Sequence, residues 1–371
     1  MPRYFRSNIA SMAGYIPGEQ PADEKLAKLN TNENPYPPSP SVLAALRKAT
    51  NQSLRLYPEP LSDSLRNVAA EVYGVGPNNI LAGNGSDEIL SIVLRCFVAR
   101  GDRVAFPVPT YSLYETLVKI QDGEQVCVGY PADFAIPPQL HSANAAVTFL
   151  CNPNSPSGTL VALSEIEKLA RAVAGVIVVD EAYIDFAEDP GSSAISLIQN
   201  IPNLIVLRTF SKSFSLAGLR IGLAFASAEL IAGMMKVKDS YNLNRLSLVA
   251  ATAALQDLPW MQRNVRRIQQ TRRKLVDGLR KLGFYVYPSH ANFVMAQKEG
   301  QEQKALYHAL RERKIFVRYF DIRGLRDSLR ITVGTAEEVE SLLQEIATIQ
   351  KEAGDVTLCQ PKEANYERDQ N

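Results

Sequence analysis

Short apolar runs alternate with longer amphipathic stretches through most of this chain. Arg103 to Phe106, Ala146 to Leu150, Val176 to Val179, Leu204 to Leu207 and Ile221 to Phe225 read as strands. Their near-continuous apolar character is that of strands buried on both faces. Between them, Asp87 to Val98, Tyr111 to Ile120 and Ser164 to Val173 carry helical periodicity, with Ser164 placed to cap the third. Asn79 to Leu81 leads through a glycine-bearing turn into the first of these helices. Repeated strand-then-helix blocks predict an α/β fold, a mostly parallel central sheet with helices on both faces.

After Tyr241 the pattern changes. Leu246 to Leu255 and Trp260 to Leu282 read as long helices, ahead of shorter strands at Phe284 to Tyr287, Phe293 to Ala296, Phe316 to Tyr319 and Ser328 to Thr332. This predicts a smaller α+β domain. At the other end, Pro35, Pro37, Pro38 and Pro40 argue against regular helix and for an arm. The expected division is an arm and linker over 1–40, a large domain over 41–245, a small domain over 246–355 and a polar tail over 356–371.

Composition narrows the function classes. The 40 basic and 39 acidic side chains leave no field to attract nucleic acid or an anionic membrane. No apolar stretch approaches the ~20 residues of a membrane span, and no apolar segment follows Met1 to Asn8 as in a secretory signal. Cys96, Cys127, Cys151 and Cys359 are scattered, three of them in apolar surroundings that suggest small core residues. With only three histidines, no metal site is expected. The chain reads as globular and cytoplasmic.

Candidate chemistry gathers at the carboxyl ends of the strands, where open parallel sheets bind ligands. Asn152 to Gly158 follows one strand, Asp180, Glu181 and Tyr183 a second, and Thr209, Ser211 and Lys212 a third. The turn Gly83 to Glu88 opens a helix whose free N–H groups could cradle a phosphate. It is neither a GxGxxG fingerprint nor a Walker loop, and capping alone would also explain it. Asp180 ends an apolar strand, where a carboxylate is costly to bury without a cation or donor. Lys212 stands among apolar and hydroxylated neighbours, eight positions before Arg220. An amine so held has a depressed pKa and can form a Schiff base.

In order and spacing these residues resemble the pyridoxal-phosphate (PLP) aminotransferases of fold type I. The matching pieces are Asn152 with Pro153 and Gly158, Asp180-Glu-Ala-Tyr183, Ser211-Lys212-Ser213 and Gly218-Leu-Arg220. The resemblance spans roughly residues 5 to 350. Within that family the chain is most similar to the histidinol-phosphate aminotransferases. Leu29-Asn-Thr-Asn-Glu-Asn-Pro-Tyr36, Tyr57-Pro-Glu-Pro60, Gly85-Ser-Asp-Glu88 and Leu329-Arg-Ile-Thr-Val-Gly-Thr335 carry this likeness, with the arm Asn8 to Tyr15.

The resemblance implies roles. Lys212 would hold PLP and, once freed, shuttle the proton between the substrate α-carbon and the cofactor. Asp180 would pair with the ring nitrogen, Asn152 and Tyr183 with the phenolic oxygen, and Tyr111 with the ring face. Ser86, Asp87, Thr209, Ser211 and Arg220 would meet the cofactor phosphate, joined by Tyr57 of a neighbouring subunit in a homodimer. Substrate would meet Arg330 and Arg318, with Tyr15 and Asn34 nearby. The implied reaction passes the amino group of L-histidinol phosphate to 2-oxoglutarate, giving imidazole acetol phosphate and glutamate, a step of histidine biosynthesis. An aromatic amino-acid aminotransferase and a PLP-dependent decarboxylase of a phosphorylated amino acid would share most of these residues. No basic helix-turn-helix segment precedes the arm, which disfavours a PLP-binding regulator.

Overall fold

The computed structural model describes residues 4–15, 19–20 and 27–358 of the chain. Strand β1 (Ala27–Lys28) lies in the N-terminal segment. It is followed by β2 (Ile80–Gly83), β3 (Arg103–Val108), β4 (Glu124–Gly129), β5 (Val147–Cys151), β6 (Val176–Asp180), β7 (Leu204–Thr209) and β8 (Gly222–Ala226). These last seven form one sheet in the order β2-β8-β7-β6-β5-β3-β4. Only β8 runs against its neighbours, antiparallel to both β2 and β7. The carboxyl ends of the other six strands therefore share one edge.

Residues alternate between the two faces of this sheet. Ile177, Val179, Leu204 and Val206 join one core with Leu65, Leu169 and Leu248. Val176, Val178, Ile205 and Leu207 join another with Ile89, Val93, Tyr114 and Val118. Helices Asp63–Tyr73, Leu163–Ala172 and Arg245–Leu255 thus cover one face, and Ser86–Phe97 and Leu113–Gln121 the other. Helix Arg245–Leu255 packs on Pro40–Ala49 and Asp63–Tyr73, so the large sheet keeps it.

A third core surrounds a smaller antiparallel sheet of β9 (Tyr285–Val286), β10 (Phe293–Gln297), β12 (Arg318–Tyr319) and β13 (Ser328–Thr332), ordered β12-β13-β10-β9. Strand β11 (Ile315–Phe316) pairs instead with β1, in parallel. The 24-residue helix Leu258–Lys281 supplies Ile268, Leu275 and Leu279 to this core.

The structure corrects several local expectations. Pro40 does not exclude helix but opens one, at the first position of Pro40–Ala49, with the Ser39 hydroxyl accepting from Ser41 N at 3.0 Å. A missing N–H costs nothing there. Helix Leu163–Ala172 starts one residue before Ser164, after Ala162, with no side-chain cap. Phe316 to Tyr319 is two strands, because the segment leaves β1 for β13. Edge strand β4, Glu-Gln-Val-Cys-Val-Gly, mixes polar and apolar residues and gives little periodic signal. Of the cysteines described, Cys151 is buried, Cys96 half-buried and Cys127 exposed. Helix Ala336–Leu358 runs into the expected tail over 356–371, most of which, with Cys359, lies outside the described residues. Among the described residues no helix is long and apolar enough to cross a membrane.

Candidate active site

At the shared strand edge lies a cavity of about 900 Å³, bounded by both sheets and the N-terminal arm. Strand β6 delivers Asp180 to its floor, and the turn beyond delivers Tyr183. Strand β7 delivers Thr209, then Ser211 and Lys212. The helix Ser86–Phe97 brings its N-terminal Ser86 and Asp87. Strands β12 and β13 bring Arg318 and Arg330 from the smaller sheet.

Lys212 is held at lowered basicity. Burial pushes its amine down to about 8, and the Arg330 guanidinium adds to the effect. Its Nζ donates to Thr31 O at 3.2 Å and stands 5.7 Å from the centre of the Tyr183 ring. Asp180 moves the other way, pushed up to about 6 by burial. Two donors oppose that shift: the Tyr114 hydroxyl at 2.9 Å and the Ala182 N–H at 3.2 Å. Tyr183 Oη accepts from Asn32 Nδ2 at 3.0 Å. Burial raises its phenol to about 12, so it stays protonated and keeps a donor.

An anion cradle lies beside them. Arg220 donates to Ser211 Oγ at 3.1 Å and to Asp87 Oδ2 at 3.1 Å. Glycine is required at Gly222, where a Cβ would stand 2.5 Å from Ser86 N. The bare backbone lets β8 and the helix N-terminus approach each other, leaving N–H groups, hydroxyls and a guanidinium converging on one point.

At the mouth, Arg318 and Arg330 approach one ring: their guanidinium carbons lie 5.5 and 5.6 Å from the centre of Phe320. Arg330 donates to Ser155 Oγ at 3.0 Å and to Asn30 O at 2.9 Å, while its buried Nε has no partner among the described residues. A buried guanidinium with a spare N–H is suited to an incoming anion. Tyr15 of the arm meets Tyr111 edge-on at 6.3 Å. The arm is anchored over helix Leu113–Gln121 by Asn8 Nδ2 on Lys119 O at 2.8 Å.

Three sequence candidates stand elsewhere. Asn152 is fully buried with its amide closed on Val161, accepting from Val161 N at 2.8 Å and donating to Val161 O at 3.2 Å. It shapes the loop and does not line the cavity; Ser155, three residues on, does. Asn34 turns its amide to Lys212 O at 3.1 Å and Ser213 O at 3.2 Å, bracing the lysine loop instead of lining the substrate space. Tyr57 is 79% exposed, stacked on Tyr241 at 4.7 Å, and does not reach this chain's own cavity. Sequence reasoning also passed over Asn30, Asn32 and Tyr114. The first two sit inside the quoted Leu29 to Tyr36 motif, so a signal existed; Tyr114 reads only as a core aromatic.

The donor set fits PLP: a buried carboxylate, an amine of lowered basicity and a phosphate cradle line one cavity. Such a site on a sheet of this topology defines a PLP-dependent transferase of fold type I. The chain belongs to the class I and II aminotransferases, whose family model matches residues 24–346. Within them it stands with the histidinol-phosphate aminotransferases. It is 45% identical to histidinol-phosphate aminotransferase 1 of Trichormus variabilis over 346 residues, 93% of this chain and 98% of that one. It is 44% identical to the histidinol-phosphate aminotransferase of Citrifermentans bemidjiense over 341 residues, 92% and 97% of the two chains. Among solved structures, the histidinol-phosphate aminotransferase of Sinorhizobium meliloti, crystallised with pyridoxal-5'-phosphate, matches with a TM-score of 0.86 and 26% identity. That match covers 94% of this chain and 98% of the other.

Proposed function

We propose that the protein transfers the amino group of L-histidinol phosphate to 2-oxoglutarate, yielding imidazole acetol phosphate and glutamate in histidine biosynthesis. The observation that carries this reading is the pair of guanidinium groups, Arg318 and Arg330, both close to the Phe320 ring at the mouth of the Lys212 cavity. Both amino donors bear an anion at a distance from the reacting amine, and two arginines answer that need. The identity of about 45% to enzymes named for this substrate supports the same choice.

When bound, PLP supplies an electron sink conjugated to the substrate α-carbon. The chain's own residues do the rest. Asp180 would keep a proton on the ring nitrogen, and Tyr183 would donate to the phenolic oxygen. Tyr111 covers the ring face. The N–H groups of Ser86 and Asp87, the hydroxyls of Thr209 and Ser211, and the Arg220 guanidinium would hold the phosphate. Lys212, whose basicity burial lowers, would in its free-amine form take the proton from the substrate α-carbon and deliver it to the cofactor carbon that receives the amino group. Arg330 holds the carboxylate of glutamate or 2-oxoglutarate, Arg318 the second anion, and Tyr15 closes the pocket against water. Tyr57, exposed in one chain, serves the phosphate of a partner subunit in a cytoplasmic homodimer.

The aromatic pair Tyr15 and Tyr111 favours one alternative, an aromatic amino-acid aminotransferase. Steady-state assays with histidinol phosphate, phenylalanine, tyrosine and threonine phosphate separate the readings. The highest kcat/KM is expected for histidinol phosphate; a clearly higher value for phenylalanine rejects this substrate, and CO2 release from threonine phosphate points to a decarboxylase.

A further inference from the structure

Behind Asp180 stands a side chain that does not line the cavity. Tyr114, in helix Leu113–Gln121, is fully buried, and its hydroxyl donates to Asp180 Oδ2 at 2.9 Å. The ring is held against rotation. It stacks on Phe149 at 4.8 Å with an interplanar angle of 14°, and meets Tyr111 and Phe106 edge-on at 5.6 and 6.1 Å. The Ala182 N–H donates to the other carboxylate oxygen at 3.2 Å. Among the described residues no lysine or arginine reaches ion-pair distance of Asp180, whereas its neighbour Glu181 is paired with Arg208 at 3.5 Å.

A buried carboxylate without a cation depends on its donors. We propose that Tyr114 is a positioning residue for the reaction: its hydroxyl keeps Asp180 ionised and aims the free lone pairs at the cofactor ring nitrogen. This rests on the reading of Asp180 given above.

Among the groups that favour the ionised carboxylate, Tyr114 acts most strongly, ahead of the Ala182 N–H and Lys212. Burial raises the Tyr114, Tyr111 and Tyr183 phenols and the Cys151 thiol, so all four stay protonated at neutral pH. The Asp87 carboxylate opposes ionisation of Asp180, and the Lys212 ammonium favours it. Burial has already raised Asp180 to about 6 with the Tyr114 bond in place. As pH falls through that value the carboxylate is neutralised and its hold on a protonated ring nitrogen is lost. Without the hydroxyl, burial raises the value further, so this loss begins at higher pH.

The test reads cofactor retention, not turnover. Full-length wild type, Tyr114→Phe, Phe149→Leu and Asp180→Asn are equilibrated with PLP from about pH 5 to about pH 8.5, and bound cofactor is measured after ultrafiltration. Tyr114→Phe keeps the ring and loses the bond, so its acid midpoint should rise by about one pH unit. Phe149→Leu loosens the packing and spares the hydroxyl, so it should lower the melting temperature and leave the pH midpoint in place. An unmoved midpoint in Tyr114→Phe, with Asp180→Asn impaired, overturns the proposal. An equal shift in Phe149→Leu overturns it too, since packing would then be the cause. Wild-type retention by Asp180→Asn at every pH removes the reading of Asp180 itself.

Discussion

The Arg330 guanidinium donates to the Ser155 hydroxyl at 3.0 Å, joining strand β13 of the smaller sheet to the loop after β5 of the large one. A second bond, to Asn30 O at 2.9 Å, ties the same group to the N-terminal segment. One guanidinium is thus fixed by two other parts of the chain, with its Nε left over. Removing one anchor, Ser155→Ala, should raise KM for 2-oxoglutarate about 10-fold. Arg330→Lys should raise it about 100-fold, because an ammonium cannot present a planar fork to a carboxylate. An unchanged KM in Arg330→Lys would take Arg330 out of substrate binding.

Lys212 titrates near pH 8, lowered first by burial and then by Arg330. Below that value it is an ammonium and unreactive; above it, a free amine. In cofactor-free enzyme, arylation of Lys212 followed by mass spectrometry should therefore rise with a midpoint near pH 8. Arg330→Gln removes a repelling charge and should move the midpoint upward. With PLP bound, borohydride should fix the cofactor to wild type, and Lys212→Ala should lose both the fixed label and turnover. A fully active Lys212→Ala enzyme would end the catalytic assignment.

Arg208 lies buried between Glu181 and Asp185. Asp185 also accepts from Ser213, the residue after Lys212, and Glu181 from Ser193 Oγ at 2.6 Å. Arg208→Met strands two carboxylates, so urea denaturation should register a loss of ~3–5 kcal/mol near neutral pH. Burial already raises Glu181 to about 7 despite Arg208. A carboxyl raised in the folded state binds more protons there than when unfolded, so its contribution is fullest at acid pH and is lost as pH rises through about 7. The variant should accordingly be less impaired at about pH 5 than at about pH 8. A uniform loss at both pH values would show that packing, not stranded charge, dominates.

Tyr57 and Lys212 offer a direct count of subunits. If Tyr57 serves the partner's site, hybrids of Tyr57→Ala and Lys212→Ala subunits contain one intact site. An equal mixture, unfolded and refolded together, should then recover about one quarter of wild-type activity. Recovery no greater than the average of the two parents would assign Tyr57 to its own chain, or to no site at all.

Much of this was legible along the chain. Strands β5, β6 and β7 are apolar runs buried on both faces, and such runs betray themselves without a partner in view. A polar residue closing such a run, as Asp180 closes β6, is conspicuous for the same reason. For Asn152, residue order states which loop the side chain belongs to, not which way it turns. In the loop after β5, Asn152 spends its amide on Val161 and Ser155 faces the cavity. Asn34 similarly proved to be a brace for the Lys212 carbonyl.

By itself, the sequence determined the layered α/β architecture, the strand ends that carry chemistry, and the lysine, carboxylate and arginine of a PLP site. These follow from local periodicity and residue chemistry, which neighbours in the chain express. Only the tertiary structure decided that Arg330 reaches Ser155, that Tyr114 stands behind Asp180, and that Arg318 and Arg330 share Phe320. Those relations join residues 66 to 175 positions apart, or set two strands of one sheet around a common ring. Side-chain direction and burial arise only once the two sheets pack, and with them the opposed pKa shifts of Lys212 and Asp180.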